Sequence, residues 1–173
     1  SYSKNSPGFK EDGDYDLFST FKIDASLPLQ KKLLKYKHYL TPKVSFRYSP
    51  DKNSNLSSKN LLLNYNNIFG LNRIGASHKV EGGESLSVGL EFKRENIEGF
   101  NILDLKLGNV LRLKENNNLP VKSKLNKTRS DIFGNLKLNL SENIGLRYFF
   151  SYDRDLDYSN LEQIGLNYSL NNF

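Results

Sequence analysis

Two runs of strict alternation, separated by a long polar segment, constrain this chain more than any other feature. From Leu33 onward, Leu34, Tyr36, Leu40, Val44, Phe46 and Tyr48 hold even positions. Lys35, Lys37, Thr41, Lys43, Ser45, Arg47 and Ser49 hold odd ones. The second run sets Val80, Leu86, Val88, Leu90 and Phe92 against Ser85, Ser87, Gly89, Glu91 and Lys93. A period of two puts all the apolar side chains of a strand on one face and the polar, basic ones on the other. The rest of the chain repeats the pattern.

Composition narrows the class. Hydrophobic residues make up 37% of the 173, and mean hydropathy is −0.60. No window holds a long uncharged apolar run, which excludes a transmembrane helix. A transmembrane β-barrel stays open, because its strands are apolar on one face only. The 10 Tyr and 11 Phe suit strands and membrane–water interfaces. With no Cys, a disulfide framework, thiol catalysis and Cys-ligated zinc are ruled out in this piece. The first residue is Ser and no signal peptide is present, so the N-terminus reads as processed or cut. The net charge of +6 points to an anionic partner: nucleic acid, a lipid headgroup or a phosphorylated glycan.

About seven strands are expected. The segment from Ser1 to Asp14 reads as a polar loop, and Phe21 to Leu27 as a first strand. Pro28 to Lys32 reads as a short connection, and Leu33 to Tyr48 as the second strand. Pro42 lies inside that strand and implies a bulge or a wet end. The third strand runs from Val80 to Lys93, with Gly82-Gly83 marking a bulge or a close backbone approach. Later strands centre on Leu103–Leu113, Ile132–Leu140, Ile144–Tyr152 and Ile164–Leu170. Connections alternate in length. Pro28–Lys32, Arg94–Gly99 and Ser141–Asn143 are short, whereas Ser49–His78 and Lys114–Thr128 are long. An antiparallel meander places every second connection at the same end, so this sorting matches an outer-membrane barrel. Alternation alone fits a sandwich equally well.

The face opposite the apolar stripe is basic. Lys22, Lys35, Lys37, Lys43, Arg47, Lys93, Lys106, Arg112, Lys137 and Arg147 fall there, with Asp24, Glu91 and Asp104 as its clear acids. If the stripe faces lipid, this side lines a lumen suited to a phosphorylated or carboxylated passenger. If it does not, these are solvated charges on a wet sheet face. The residues therefore leave three functions open: a transport barrel, a generic outer-membrane pore or receptor barrel, and a soluble glycan-binding β-sandwich.

Two blocks carry a family likeness. The stretch "LNYNNIFGLNRIGASHKVEGGESLSVG" from Leu63 to Gly89, and "YKHYLTPKVSFRYSP" from Tyr36 to Pro50, resemble the C-terminal β-barrel domain of the LptD (OstA, Imp) lipopolysaccharide-assembly family. Asn72, Arg73, Glu81, Gly82, Gly83, Gly89 and Leu90 match its motif in the first block, and Leu40, Pro42, Phe46, Arg47, Tyr48 and Pro50 in the second. Ala76, His78, Lys79 and Val88 depart from it. The resemblance implies an all-β antiparallel meander, residues 1–173 being one partial domain of a large barrel in the Gram-negative outer membrane. It implies insertion of lipopolysaccharide into the outer leaflet, with no enzymatic reaction and no cofactor. It implies as partners lipopolysaccharide, outer-membrane lipid, a plug lipoprotein (LptE-like) and a periplasmic bridge protein (LptA-like), and no nucleic acid. Under it, Lys35, Lys37, Lys43, Arg47, Lys106, Arg112, Lys137 and Arg147 become the candidate lumenal contacts. About seven strands cannot close so large a barrel, and polar Asn167, Ser169 and Asn171 do not suit a terminal strand, so a piece from the middle of the barrel is expected.

Catalytic and metal signatures are absent from the pattern. Asp153, Asp155 and Asp157 open like a calcium loop, but Tyr158 stands where Gly is needed and Ile164 where Glu is needed. His38 and His78 are isolated, so neither a zinc set nor a Ser-His-Asp arrangement is suggested.

Overall fold

In the computed structural model, which describes residues 2–3, 14–15, 19–50, 55–58, 60–75, 81–153, 155–157 and 159–169, the alternation becomes one antiparallel sheet. A two-stranded pair, β1 (Tyr2–Ser3) and β2 (Asp14–Tyr15), precedes it. The sheet holds β3 (Phe21–Ser26), β4 (Leu29–Lys32), β5 (Tyr36–Ser49), β6 (Gly83–Asn96), β7 (Asn101–Arg112), β8 (Ile132–Asn139), β9 (Ile144–Tyr152) and β10 (Ser159–Tyr168). From β5 onward each strand pairs with the next in sequence, and the sheet is not closed. Most of the expected polar N-terminal loop, His78, Lys79, Val80 and Leu170 lie outside the described residues.

Among the described residues the main sheet has eight strands rather than seven, because Pro28–Lys32 is not a connection. β4 pairs with β5 from Leu29↔Leu40 to Lys32↔Lys37, in the same register as β3 from Phe21↔Tyr48 to Ser26↔Lys43. The two share one position at the sheet's edge, interrupted only at Leu27-Pro28. The reversal comes instead at residues 33–35, where the Leu33 amide donates to the Tyr36 carbonyl at 2.8 Å.

Pro42 makes neither a bulge nor a wet end. The β5–β6 register runs unbroken from Tyr36↔Asn96 to Ser49↔Gly83, through Pro42↔Leu90. The Leu27 amide donates to the Pro42 carbonyl at 3.1 Å. In an antiparallel ladder a residue's carbonyl and nitrogen point to the same neighbour. The donor that Pro42 lacks would therefore have faced the Leu27-Pro28 interruption, and the β6 ladder loses nothing.

Short turns at residues 33–35, 97–100 and 140–143 lie at one end of the sheet. The longer connections between β5 and β6, β7 and β8, and β9 and β10 lie at the other. This is the sorting expected from the sequence.

The burial of the two faces is opposite to that of a sheet folding in water. On β5 the apolar side chains are exposed, Phe46 at 42% and Val44 at 41%, while Ser45, Arg47 and Ser49 are buried. Across β6 and β7, Leu90 is 40% exposed whereas Ser85, Ser87 and Arg112 are buried. The hydrophobic core sits over the polar face, not the apolar one. Leu56, Leu63, Tyr65, Ile68 and Ile74 of the β5–β6 connection and Leu119 and Leu125 of the β7–β8 connection pack on Val110 and Phe133. The long connections thus fold back and cover the half of the polar face nearest to them.

Candidate functional site

Among the charged groups buried on the covered face is Glu81, 2% exposed. The Arg73 guanidinium grips it in a fork, Nη2 to Oε1 at 2.5 Å and Nε to Oε2 at 2.6 Å. Arg73 also donates to the Ser85 and Ser87 hydroxyls and to the Ile68 carbonyl. Arg112 donates from Nη1 to Glu81 Oε1 and from Nη2 to the Gly82 carbonyl at 2.7 Å. Arg47 donates to the Glu81 backbone carbonyl at 2.5 Å and to the Leu71 carbonyl at 3.1 Å. Arg47 comes from β5, Arg112 from β7, and the serines from β6. Three adjacent strands and one connection therefore meet at a single carboxylate. The geometry needs Gly83, whose φ is +85° and where a Cβ would lie 3.0 Å from Arg112 Nη2.

Burial alone would raise the Glu81 carboxyl, but the surrounding guanidiniums, Arg73 foremost, outweigh it and hold the group below the ordinary carboxylate range. Asp131 behaves oppositely. Burial pushes its carboxyl up, although Asn160 and Ser151 donate to Oδ2 at 2.6 and 3.0 Å. The signs lead to a prediction. A depressed Glu81 stabilises docking of the connection above its unfolded value and loses that contribution as pH falls through the folded one. Protonation relieves Asp131's burial and adds stability as pH falls through its own raised value. Protease protection of residues 55–75 should hold down to about pH 4.3 and fail only below it. Loss of protection between neutral pH and pH 5 would show that Glu81 does not hold the connection.

Below this cluster the connection lies against a gap in the sheet's side chains. Gly89 and Gly108 are register partners. A Cβ on Gly89 would come within 2.5 Å of the Phe69 ring, and one on Gly108 within 2.5 Å of Ile68 Cδ1. Only bare backbone admits Tyr65, Ile68 and Phe69 here. Tyr65 then donates its hydroxyl to Glu91 Oε1 at 3.0 Å, where Lys43 Nζ also donates at 2.7 Å and Lys106 Nζ stands 4.0 Å away. These groups, with Lys22 and Asp24, line a cavity of about 400 Å³.

The expected contacts divide. Lys43 and Lys106 flank this cavity. Lys37, Lys137 and Arg147 lie on the polar face toward the short turns, and Lys37 and Lys137 are half-buried. Lys35 is a correction: it sits in the exposed turn between β4 and β5, because the strand begins at Tyr36, three residues later than the alternation suggested. Arg47 and Arg112 are corrections too. At 3% and 6% exposed they are engaged with Glu81 and its neighbours and present nothing to a passenger. Of the motif positions, Arg73, Glu81, Gly82 and Gly83 build the cluster, Gly89 builds the platform, Asn72 lies in the turn before Arg73, and Pro42 sits in the edge-facing ladder. Sequence reading missed Glu81 as the hub and Tyr65 altogether. The Glu-Gly-Gly spacing held the first signal; the second had none. Asp153 directs its carboxylate at Lys124 Nζ, 3.2 Å, and at the Asp157 amide, 2.9 Å.

Comparison with known proteins gives one family. The model described as LptD, LPS transport system D, matches residues 1–173, the whole chain. No curated protein matches significantly. The match establishes the family; that these strands come from a C-terminal barrel is a separate inference.

Proposed function

We propose, from the premise that the chain belongs to the LptD family of lipopolysaccharide-transport proteins, that its sheet is a section of an outer-membrane barrel wall whose polar face guides lipopolysaccharide toward the outer leaflet. Proteins of this family are outer-membrane components of Gram-negative bacteria, and the family is one of transport and assembly. The observation that carries the reading is the reversed burial: a sheet whose apolar face is exposed and whose charged face is covered is stable only if something other than water meets the apolar face. Two further features support it. Aliphatic side chains such as Val44, Val88, Leu90 and Leu107 occupy the middle of the apolar face. Several aromatic ones stand toward its ends, Phe21, Tyr48 and Tyr152 near the long connections and Tyr36 and Tyr168 near the short turns, while Tyr148 lies mid-strand on β9. Such belts suit the two membrane–water interfaces.

On this reading the short turns face the periplasm, and the neighbouring strands of the parent protein complete the wall. An LptE-like plug lipoprotein and an LptA-like bridge remain the expected partners. Of the expected contacts, Lys37, Lys43, Lys106, Lys137 and Arg147 remain on the polar face to meet an anionic glycolipid. The test uses the full-length protein carrying engineered single cysteines. A cysteine at Leu90 should react with a lipid-soluble reagent, and one at Lys106 with a water-soluble one. The reverse pattern would end the barrel reading. The double variant Lys43→Gln, Lys106→Gln should then insert normally and slow the appearance of lipopolysaccharide at the cell surface. Unchanged export would remove these lysines from the path and leave the wall intact.

A further inference from the structure

We infer that the β5–β6 connection is a built-in stationary plug, which seals its section of the barrel against polar solutes while lipopolysaccharide passes without displacing it. The inference rests on the barrel reading and adds a function to it. Residues 60–75 do not arch away from the sheet as a free loop would. They lie on the polar face, with Arg73 at Ser85 and Ser87 and Tyr65 at Glu91, and are fastened to it at two separate points. The first is electrostatic: Arg73 and Glu81 bind the connection to β5, β6 and β7 through guanidinium–carboxylate and guanidinium–hydroxyl contacts that are almost wholly out of water. The second is steric: Tyr65, Ile68 and Phe69 enter the hollow above Gly89 and Gly108. A third contact ties the plug to the other long connection, where the Leu63 amide donates to the buried Ser123 hydroxyl at 2.9 Å and the Leu56 amide to the Asn118 carbonyl at 2.7 Å.

A segment that must swing aside in each transport cycle needs an alternative set of partners for the groups it uncovers. Here displacement would pull the buried Arg73 guanidinium from Glu81 and from the Ser85 and Ser87 hydroxyls and open a hollow over two glycines, and both changes are costly. The toggling surface must lie elsewhere. The polar face toward the short turns, with Lys37, Lys93, Lys137 and Arg147, is free of the plug and gives a passenger room.

Two measurements on the full-length protein in its native membrane test this. A cysteine pair at Ile68 and Gly108, where the Ile68 side chain reaches the glycine backbone and its shortening to Cys makes room for the second sulfur, locks the plug to the wall when oxidised. Oxidation should leave lipopolysaccharide export unchanged; export lost on oxidation and regained on reduction would overturn the idea. The double variant Arg73→Gln, Glu81→Gln should still reach the outer membrane but let a large polar glycopeptide antibiotic in severalfold faster. Unchanged uptake would also overturn it. Should that variant fail to assemble, Gly108→Leu, which ejects Ile68 without touching a charge, supplies the same readout. A failed barrel reading would show separately, as water-soluble labelling at Leu90.

Discussion

Replacing Glu81 with alanine is expected to be the most damaging single change in the described part of the chain, costing about 3–5 kcal/mol. Three guanidiniums converge on this carboxylate, and two of them, Arg73 and Arg112, bond to its oxygens. Alanine removes the one anion that pairs with them among the described residues while leaving them buried, and an uncompensated buried charge is what makes a broken pair expensive. Glu81→Gln should be milder, since an amide oxygen still accepts from Arg73. Arg47→Glu should approach the alanine result, because it places a second carboxylate beside the first. The measurement is the temperature at which the folded form in detergent loses its gel mobility, with proteolysis of residues 55–75 as the local readout. If alanine at 81 leaves both unchanged, the cluster is ornamental and the connection is held by its apolar side chains alone. The same reasoning explains why Arg47 and Arg112 are poor choices for testing passenger contacts: reversing their charge would disturb the wall before it disturbed transport.

The wall itself was legible in the sequence because a period of two records faces directly. Each strand from β5 to β10 was found, and β9 from Ile144 to Tyr152 to the residue, since its hairpin carries a polar Ser-Glu-Asn turn. The sorting of the connections by length was legible for the same reason: strand spacing is a property of the chain alone. What failed were places where a residue's usual meaning depended on its neighbour across the sheet. Pro28 reads as a breaker until it is seen opposite Thr41 beside Pro42, where two missing donors share one interruption. Arg47 and Arg112 read as lumenal cations because their parity is right; parity gives the face but not what covers it. The cover comes from residues 55–75, whose Asn-rich composition resembles open loop and conceals five core side chains. Gly89 and Gly108 read only as positions on the polar face, because the group that packs on them, Tyr65-Ile68-Phe69, lies some 20 to 40 residues away with no periodic signature of its own.

Leu90→Arg is expected to separate a membrane wall from a water-soluble sheet by its magnitude alone. Leu90 is 40% exposed and stands in the middle of the apolar face, paired with Pro42 on one side and Leu107 on the other. In water, adding a charge to a side chain that open to solvent changes stability by about 0.5 kcal/mol or less. Against hydrocarbon at mid-depth, an arginine on the lipid face of a barrel costs about 2–4 kcal/mol, falling to about 0–1 near the interfaces. The same substitution at Leu113, 72% exposed just beyond the end of β7 at the long-connection side, should therefore cost little. Exposure to water ranks the two sites in the same order, so the discriminating quantity is the size of the Leu90 cost, which only depth in hydrocarbon makes large. Folding into lipid vesicles from denaturant, with the unfolding midpoint read for each variant, measures the difference. Equal and small effects at both positions would mean that water, not lipid, meets the exposed stripe, and the reversed burial of the sheet would then need another cover.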